Sequence, residues 1–99
     1  MKGAIASVEV FAAEAGAPSG ERRRLTLTLT GPERSSDGNG WICRVALADL
    51  QRPTEVRGRD SVTALAAALG QARSWLDGLS AQGTTLFRDR TGESRFELG

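Results

Sequence analysis

The chain contains no histidine, no tyrosine and a single cysteine, Cys43. Histidine is the commonest general base, the commonest metal ligand and the usual switch near neutral pH, so its absence removes most familiar catalytic and metal sites. A lone cysteine cannot form an internal disulfide, and a reduced, cytoplasmic setting is therefore expected. Lys2 is the only lysine. We predict a protein that is not an enzyme and has no catalytic residue, no metal site and no cofactor.

The chain also lacks an excess of charge of either sign and any long hydrophobic run. Lysine and arginine together number 13 and aspartate and glutamate number 12, which gives a net charge of +1. Proteins that bind nucleic acid or anionic membranes are usually strongly basic. A membrane-spanning helix needs about 20 consecutive apolar residues, and no run here approaches that length. We therefore expect no membrane association, and we regard nucleic acid as an unlikely partner.

What the chain does have is enough apolar residues for one modest core. Its 99 residues are 39% hydrophobic, which fits a single domain over residues 1–99. In the first half of the chain apolar and polar residues alternate with a period of two, as in half-buried strands. The clearest example is Leu25, Leu27 and Leu29, which alternate with threonines. The pattern predicts four strands, over residues 4–13, 22–30, 41–47 and 54–57.

The stretch from Arg59 to Gly83 predicts one long amphipathic helix. Asp60 or Ser61 is placed to cap its first turn, and Gly83 is placed to end it. Apolar residues recur at intervals of three and four, and they predict a stripe facing the sheet: Val62, Leu65, Ala66, Leu69, Ala72, Leu76 and Leu79. The residues predicted to meet at the interface between helix and sheet are Leu27, Trp41, Val45, Leu65, Leu69 and Leu76.

Four strands followed by one helix predict an α+β fold in which an antiparallel meander carries the helix on one face. The loops between the strands are short, which favours hairpins over parallel crossovers. The tail is ambiguous. Residues 84–89 and 94–98 are compatible with a hairpin around Thr91-Gly92, with a single edge strand, or with an arm that reaches a partner.

Two short motifs resemble a family of small bacterial proteins whose domain has no known function. In that family a strand with a W-x-C pattern is followed by a helix that begins G-x-D-S-x-x-A-L. The resemblance covers about residues 40–80, and it implies a bacterial source and the same fold but no activity. The matching positions are Trp41, Cys43, Gly58, Asp60, Ser61, Ala64, Leu65, Ala68 and Leu69.

Three features that resemble reactive sites are better explained as structure. Cys43 lies on the predicted core face between Trp41 and Val45, so we expect a buried thiol. The Asp60-Ser61 pair is expected to cap the helix, because no base is available to activate a serine. The run from Arg22 to Arg24 is the only basic cluster, and it is expected to form a solvated or salt-bridged face.

One helix covers only one face of such a sheet, so the other face is the predicted interaction surface. Phe11 is the one aromatic residue expected to be exposed on it. The surface is predicted to include Phe11, Thr26, Thr28 and Ile42, together with Arg22, Arg23 and Arg24.

These observations favour a non-enzymatic interaction or accessory domain, such as one of the immunity type, that forms a homodimer and binds a further, unidentified protein. The alternative is weak binding of nucleic acid or of an anionic ligand through the arginine-bearing sheet surface.

Overall fold

The computed structural model describes residues 4–14, 22–48, 50–89 and 94–96. They form an α+β fold with a five-stranded antiparallel sheet and one long helix. This confirms the predicted fold class, including the order of a meander followed by a helix and a C-terminal strand.

The first four strands form the predicted meander, and each is hydrogen-bonded to the next. Their bounds are β1 (Ala4–Ala13), β2 (Arg23–Arg34), β3 (Trp41–Leu47) and β4 (Gln51–Gly58). A fifth strand, β5 (Thr85–Phe87), pairs with β1, so the order across the sheet is β4-β3-β2-β1-β5. The predicted bounds of β1 and β3 are confirmed.

Strands β2 and β4 are longer than the alternation predicted. Residues 31–34 were expected to lie in a loop, but they continue β2 beyond a register shift between Thr30 and Glu33. Strand β4 begins at Gln51 and is interrupted by a shift opposite Val45 and Leu47. Register shifts add residues that break the strict period of two, so the alternation alone could not reveal either extension.

The tail joins its own sheet. Strand β5 lies along β1, and Phe87 also forms an isolated bridge to Arg95. Phe96 packs partly buried against the core. The hairpin interpretation therefore describes these residues best, whereas the predicted turn at Thr91-Gly92 and Leu98 lie outside the described residues.

The helix α1 (Ser61–Ala81) has a defined start and a defined end. At the start, the Asp60 carboxylate accepts a hydrogen bond of 2.7 Å from the amide of Thr63, so Asp60 is the cap. At the end, the amides of Gly83 and Thr84 donate to the carbonyls of Ser80 and Leu79. Gly83 has a positive φ of 92°, and the arrangement is a Schellman motif. Both predicted helix signals are confirmed.

The helix face that meets the sheet differs from the predicted stripe. Val62, Leu69 and Ala66 are exposed, and Val62 and Leu69 are 74% and 41% accessible. Ala72 and Leu76 of the predicted stripe are buried, and Leu65 and Leu79 pack partly buried against the core. The prediction missed Ala64 and Ala68, which are buried because this helix packs small side chains against the sheet.

The helix packs small side chains against the sheet because the two backbones approach each other closely. A Cβ atom placed on Gly58 would collide with the backbone of Ala64, so the end of β4 nearly touches the first turns of α1. Small side chains are needed where two backbones come this close. The helix contacts β2, β3, β4 and β5 among the described residues, with β3 and β4 contributing most.

One hydrophobic cluster lies between the helix and the sheet. Its most deeply buried large side chains are Leu25, Leu27, Leu47, Val10 and Val45. Leu27, Val45 and Leu76 are buried as predicted, and Trp41 and Leu65 pack against the cluster while partly buried. Within the described residues, no helix is both long enough and apolar enough to cross a bilayer.

Candidate interaction surface

The side of the sheet that faces away from α1, here called the outer face, carries most of the residues that the sequence predicted for an interaction surface. Side chains alternate between faces along each strand, so Thr26 and Thr28 lie opposite the face that carries Leu25 and Leu27. Cross-strand pairing places Glu9 beside Thr26, and Ser7 and Ala46 on either side of Thr28. The centre of the outer face is therefore built from small, mostly uncharged side chains.

Thr26, Thr28 and Ala46 are half-buried and Ser7 is exposed. None of the described residues forms a layer over this centre comparable to α1 on the other face. Thr26 and Thr28 are thus accessible, as the sequence predicted. Threonine hydroxyls and short aliphatic groups can pack against a partner without leaving a buried charge unpaired.

One end of the outer face is aromatic, and Phe11 is not exposed there. Phe11 lies between Arg24 of β2 and Phe87 of β5 and is only 8% accessible. The guanidinium of Arg22 stands 5.1 Å from the centre of the Phe87 ring, within the range of a cation–π contact. The prediction that Phe11 is an exposed contact residue was wrong, because β5 covers the edge of β1 that the sequence left open.

The three consecutive arginines do not form one patch. Arg24 lies on the outer face, and its guanidinium is 3.9 Å from the carboxylate of Glu9. Arg23 pairs with Ala12, a residue of the core side, so it points away from Arg24 although it is exposed. Arg22 is half-buried over Phe87. The run therefore divides between the two sides of the sheet.

The opposite end of the outer face carries a chain of ion pairs. Arg44 reaches Glu33 at 2.8 Å and Glu55 at 3.2 Å. Arg57 lies 3.9 Å from Glu55 and 3.6 Å from Asp37. The hydrogen bond to Glu33 is the main reason that the pKa of Arg44 is raised. Arg44 therefore stays charged and holds β2, β3 and β4 together on this side.

Asp37 anchors the loop that joins β2 to β3. Its carboxylate accepts hydrogen bonds from the hydroxyl of Ser35 and from the amide of Asn39. These bonds, with the nearby Arg57, lower the pKa of Asp37. The loop is thus tied to β4 through Arg57.

The ion-pair chain was not predicted, although the sequence contains a signal for it. Residues 31–34, which include Glu33, were expected to lie in a loop, so Glu33 was not placed beside Arg44. Facing positions on neighbouring strands carry charges of opposite sign, since Arg44 pairs with Glu55. Cross-strand pairing of opposite charges is the rule that would have found it.

Ile42 lies on the outer side of β3 but is only 6% accessible. It pairs with Glu33 on one side and with Arg57 on the other. Ile42 is outside the main hydrophobic cluster, so the longer charged neighbours bury it locally. The prediction that Ile42 contributes to an exposed surface was wrong, because β2 extends past it.

A shallow depression adjoins the threonine centre at the turn between β3 and β4. It has a volume of about 550 Å³ and is lined by Ala46, Ala48, Leu50, Gln51, Arg52 and Pro53. Leu50 is 38% accessible, an unusual exposure for a leucine beside alanine and proline. The depression continues the outer face toward β4, with the charged Arg52 in its lining.

Cys43 does not contribute to the outer face. It is 1% accessible within the main cluster, and burial raises the pKa of its thiol. A raised pKa reduces the fraction of reactive thiolate, so Cys43 packs as a small apolar side chain, as predicted. Among the described residues no group of three or more His, Cys, Asp or Glu is arranged to hold a metal ion.

Comparisons with protein-family models, with curated proteins and with solved structures found no match to this chain. The resemblance of the W-x-C strand and the G-x-D-S helix start to a small bacterial family therefore stays a prediction. The outer face has to be interpreted from its own residues.

Proposed function

We propose that this chain is a non-enzymatic protein-interaction or accessory domain, of the immunity type, that works through the outer face of its sheet. One observation carries the proposal. The centre of that face, around Thr26 and Thr28, is neutral, no layer of the described residues covers it, and ion pairs lie on either side of it. An antiparallel sheet with one open face is a common site for a flat contact.

The chemistry of the surface favours a folded protein as the partner. A stable contact buries about 800 Å² on each partner, with an uncharged centre and a polar rim. Here the neutral centre of Ser7, Thr28 and Ala46 is bordered by the Glu9–Arg24 pair and by the ion pairs of Arg44. A partner of matching shape would therefore bury few charges.

The proposal includes self-association as a homodimer, a bacterial source and a cytoplasmic setting. The W-x-C and G-x-D-S motifs support the source. The single buried thiol of Cys43 supports a reducing compartment, where free thiols are normal.

Affinity capture from the native host followed by mass spectrometry tests the proposal. The informative variant is Thr28→Arg, which places a long cation in the neutral centre. The matched control is Ala66→Arg, which adds the same charge on the exposed side of α1. We expect a defined partner that wild type and Ala66→Arg retain and Thr28→Arg loses. Equal retention by both variants would contradict a role for the outer face.

A second candidate is binding of nucleic acid or of an anionic ligand. The observation that favours it is the proximity of Arg22, stacked on Phe87, and Arg24 at the aromatic end. The affinity for nucleic acid would fall steeply as the salt concentration rises, because each phosphate contact releases counterions. Retention of DNA or RNA measured from low to high salt distinguishes the two functions. No retention at low salt would exclude this candidate.

A further inference from the structure

Strand β4 is an edge of the sheet with a paired neighbour on one side only. In the described part of the chain it pairs with β3, whereas the strand at the other edge, β5, is bridged by Arg95. An edge strand presents unpaired amides and carbonyls that another strand can bind. The open edge of β4 is therefore the place where the sheet can be extended.

The two halves of β4 differ in how well they are protected. Pro53 has no amide hydrogen to donate, and the register shift opposite Val45 and Leu47 distorts the same half. Proline and irregular pairing are common devices that prevent edge pairing. From Thr54 to Gly58 the strand pairs regularly with β3. Only this second half is suited to accept a further strand.

The charges in that half are self-complementary. Glu55 and Arg57 lie on the outer face, with Val56 between them on the side of Cys43. Their side chains are 42% and 60% accessible. If a second copy pairs antiparallel and the register is centred on Val56, Glu55 faces Arg57 of the second copy and Arg57 faces its Glu55. Opposite charges at facing positions stabilise a strand pair.

The neighbouring symmetric registers are unfavourable. Centring the pair on Glu55 places two glutamates directly opposite each other, and centring it on Arg57 does the same with two arginines. Like charges at facing positions destabilise a strand pair. Among these symmetric antiparallel registers, the charges of β4 therefore favour the one centred on Val56.

The position of α1 is compatible with this arrangement. The helix lies mainly over β3 and β4, so a twofold axis through Val56 and perpendicular to the sheet brings two helices to the same side. The dimer therefore has both helices on one side of the extended sheet, and Glu55 and Arg57 of both copies on the other.

We propose that two copies of this chain join through β4, edge to edge and antiparallel, in the register centred on Val56. The proposal rests on the self-association included in the proposed function, and it identifies the second copy as the partner of this edge. It produces one continuous sheet of ten strands, twice the five of a single chain.

Two charge variants and their mixture test the register. Glu55→Arg places arginine opposite arginine twice, and Arg57→Glu places glutamate opposite glutamate twice. We expect sedimentation equilibrium to show a wild-type dimer and a dissociation constant raised by roughly tenfold or more in each variant. An equimolar mixture restores both attractive pairs, so we expect it to dimerise as wild type does.

The matched control is Glu9→Arg, the same charge change at an exposed, ion-paired position of β1. It should dimerise as wild type does. A dimer that persists in both single variants, or a mixture that stays monomeric, would overturn the register. Neither result bears on binding of a different protein to the outer face, which the Thr28→Arg variant tests. The edge contact and the proposed function can therefore be contradicted independently.

Hydrogen exchange of the wild type provides a measurement that needs no variant. We expect amides of β4 to exchange more slowly at about 1 mM than at about 10 µM protein, because pairing protects them only in the dimer. Amides of β5 should exchange at the same rate at both concentrations. Equal rates for β4 at both concentrations would overturn the edge contact.

Discussion

Small residues determine how α1 meets the sheet. Ala64, Ala68 and Ala72 are fully buried, and Gly58 allows the end of β4 to approach the first turns of the helix. The large apolar residues on the flank of the helix, Val62 and Leu69, remain accessible. Packing energy at this interface therefore comes from close backbone approach as well as from bulky side chains.

This distribution predicts unequal effects of two leucine truncations. Leu76 is 5% accessible and Leu69 is 41% accessible. Leu76→Ala should lower the free energy of unfolding by about 2–5 kcal/mol, because it leaves a cavity in the core. Leu69→Ala should lower it by less than about 1 kcal/mol. Urea denaturation of both variants measures the difference, and equal losses would mean that the helix is rotated about its axis.

We expect the thiol of Cys43 to react slowly in the folded protein. The thiol is buried, and burial raises its pKa, so both access and thiolate fraction are low at neutral pH. A thiol reagent should label the native protein slowly and the urea-unfolded protein quickly. Native labelling at the unfolded rate would contradict the position of Cys43 between Trp41 and Val45 on the core face.

At the scale of elements, the start of α1 depends on a charged cap. The amide of Thr63 donates to Asp60, and this bond is the main reason that the pKa of Asp60 is lowered. A carboxyl group whose pKa is lower in the folded state stabilises the fold above its unfolded pKa, about 3.9. That stabilisation is lost as the pH falls through the lower, folded-state value.

Asp60→Asn removes the charge of the capping side chain but keeps an oxygen that can accept the hydrogen bond. Asparagine also caps helices well but does not titrate, so the variant keeps the hydrogen bond at every pH. We expect wild type to have the higher Tm at pH 7, with the difference shrinking as the pH falls below about 4. Thermal unfolding of both proteins from pH 7 to pH 2 measures this. A difference in Tm that does not change with pH would contradict a role for the carboxylate charge.

Local patterns predicted the elements better than their contacts. Strict alternation defined β1 and β3, and the cap and stop signals defined α1, because both depend on neighbouring residues. The burial of Phe11 and Ile42 was missed, since it depends on β5 and on the far end of β2. The buried face of α1 was only partly predicted, because the burial of Ala64 and Ala68 depends on how closely the helix approaches the sheet. Thr26 and Thr28 were placed correctly because only alternation was needed.

At the scale of the whole molecule, the two sides of the sheet are stabilised differently. The helix side has one hydrophobic cluster. The outer face has ion pairs at one end and the Phe11–Phe87 pair at the other. The Phe11–Phe87 pair connects β5 to the meander, so the outer face helps to hold the tail.

Because Phe11 packs beside Phe87, we expect it to stabilise the fold rather than to form an interface. Phe11→Glu replaces a ring that packs beside Phe87, at a position that is 8% accessible, with a smaller charged side chain. We expect it to lower the free energy of unfolding by about 3–5 kcal/mol, the range for removing a buried phenylalanine. Ile5→Glu is the matched control, because Ile5 lies in the same strand and is 52% accessible. Its effect should stay within about 0.5 kcal/mol.

Denaturation at two protein concentrations separates the roles of Phe11. If Phe11 acts within the fold, the loss caused by Phe11→Glu is the same at low and high concentration. A contact between copies would instead give a loss that grows with concentration, because dimerisation stabilises the folded state by mass action. A loss that depends on concentration would mean that Phe11 lies in an interface between copies. It would contradict a role for Phe11 in holding β5 in place.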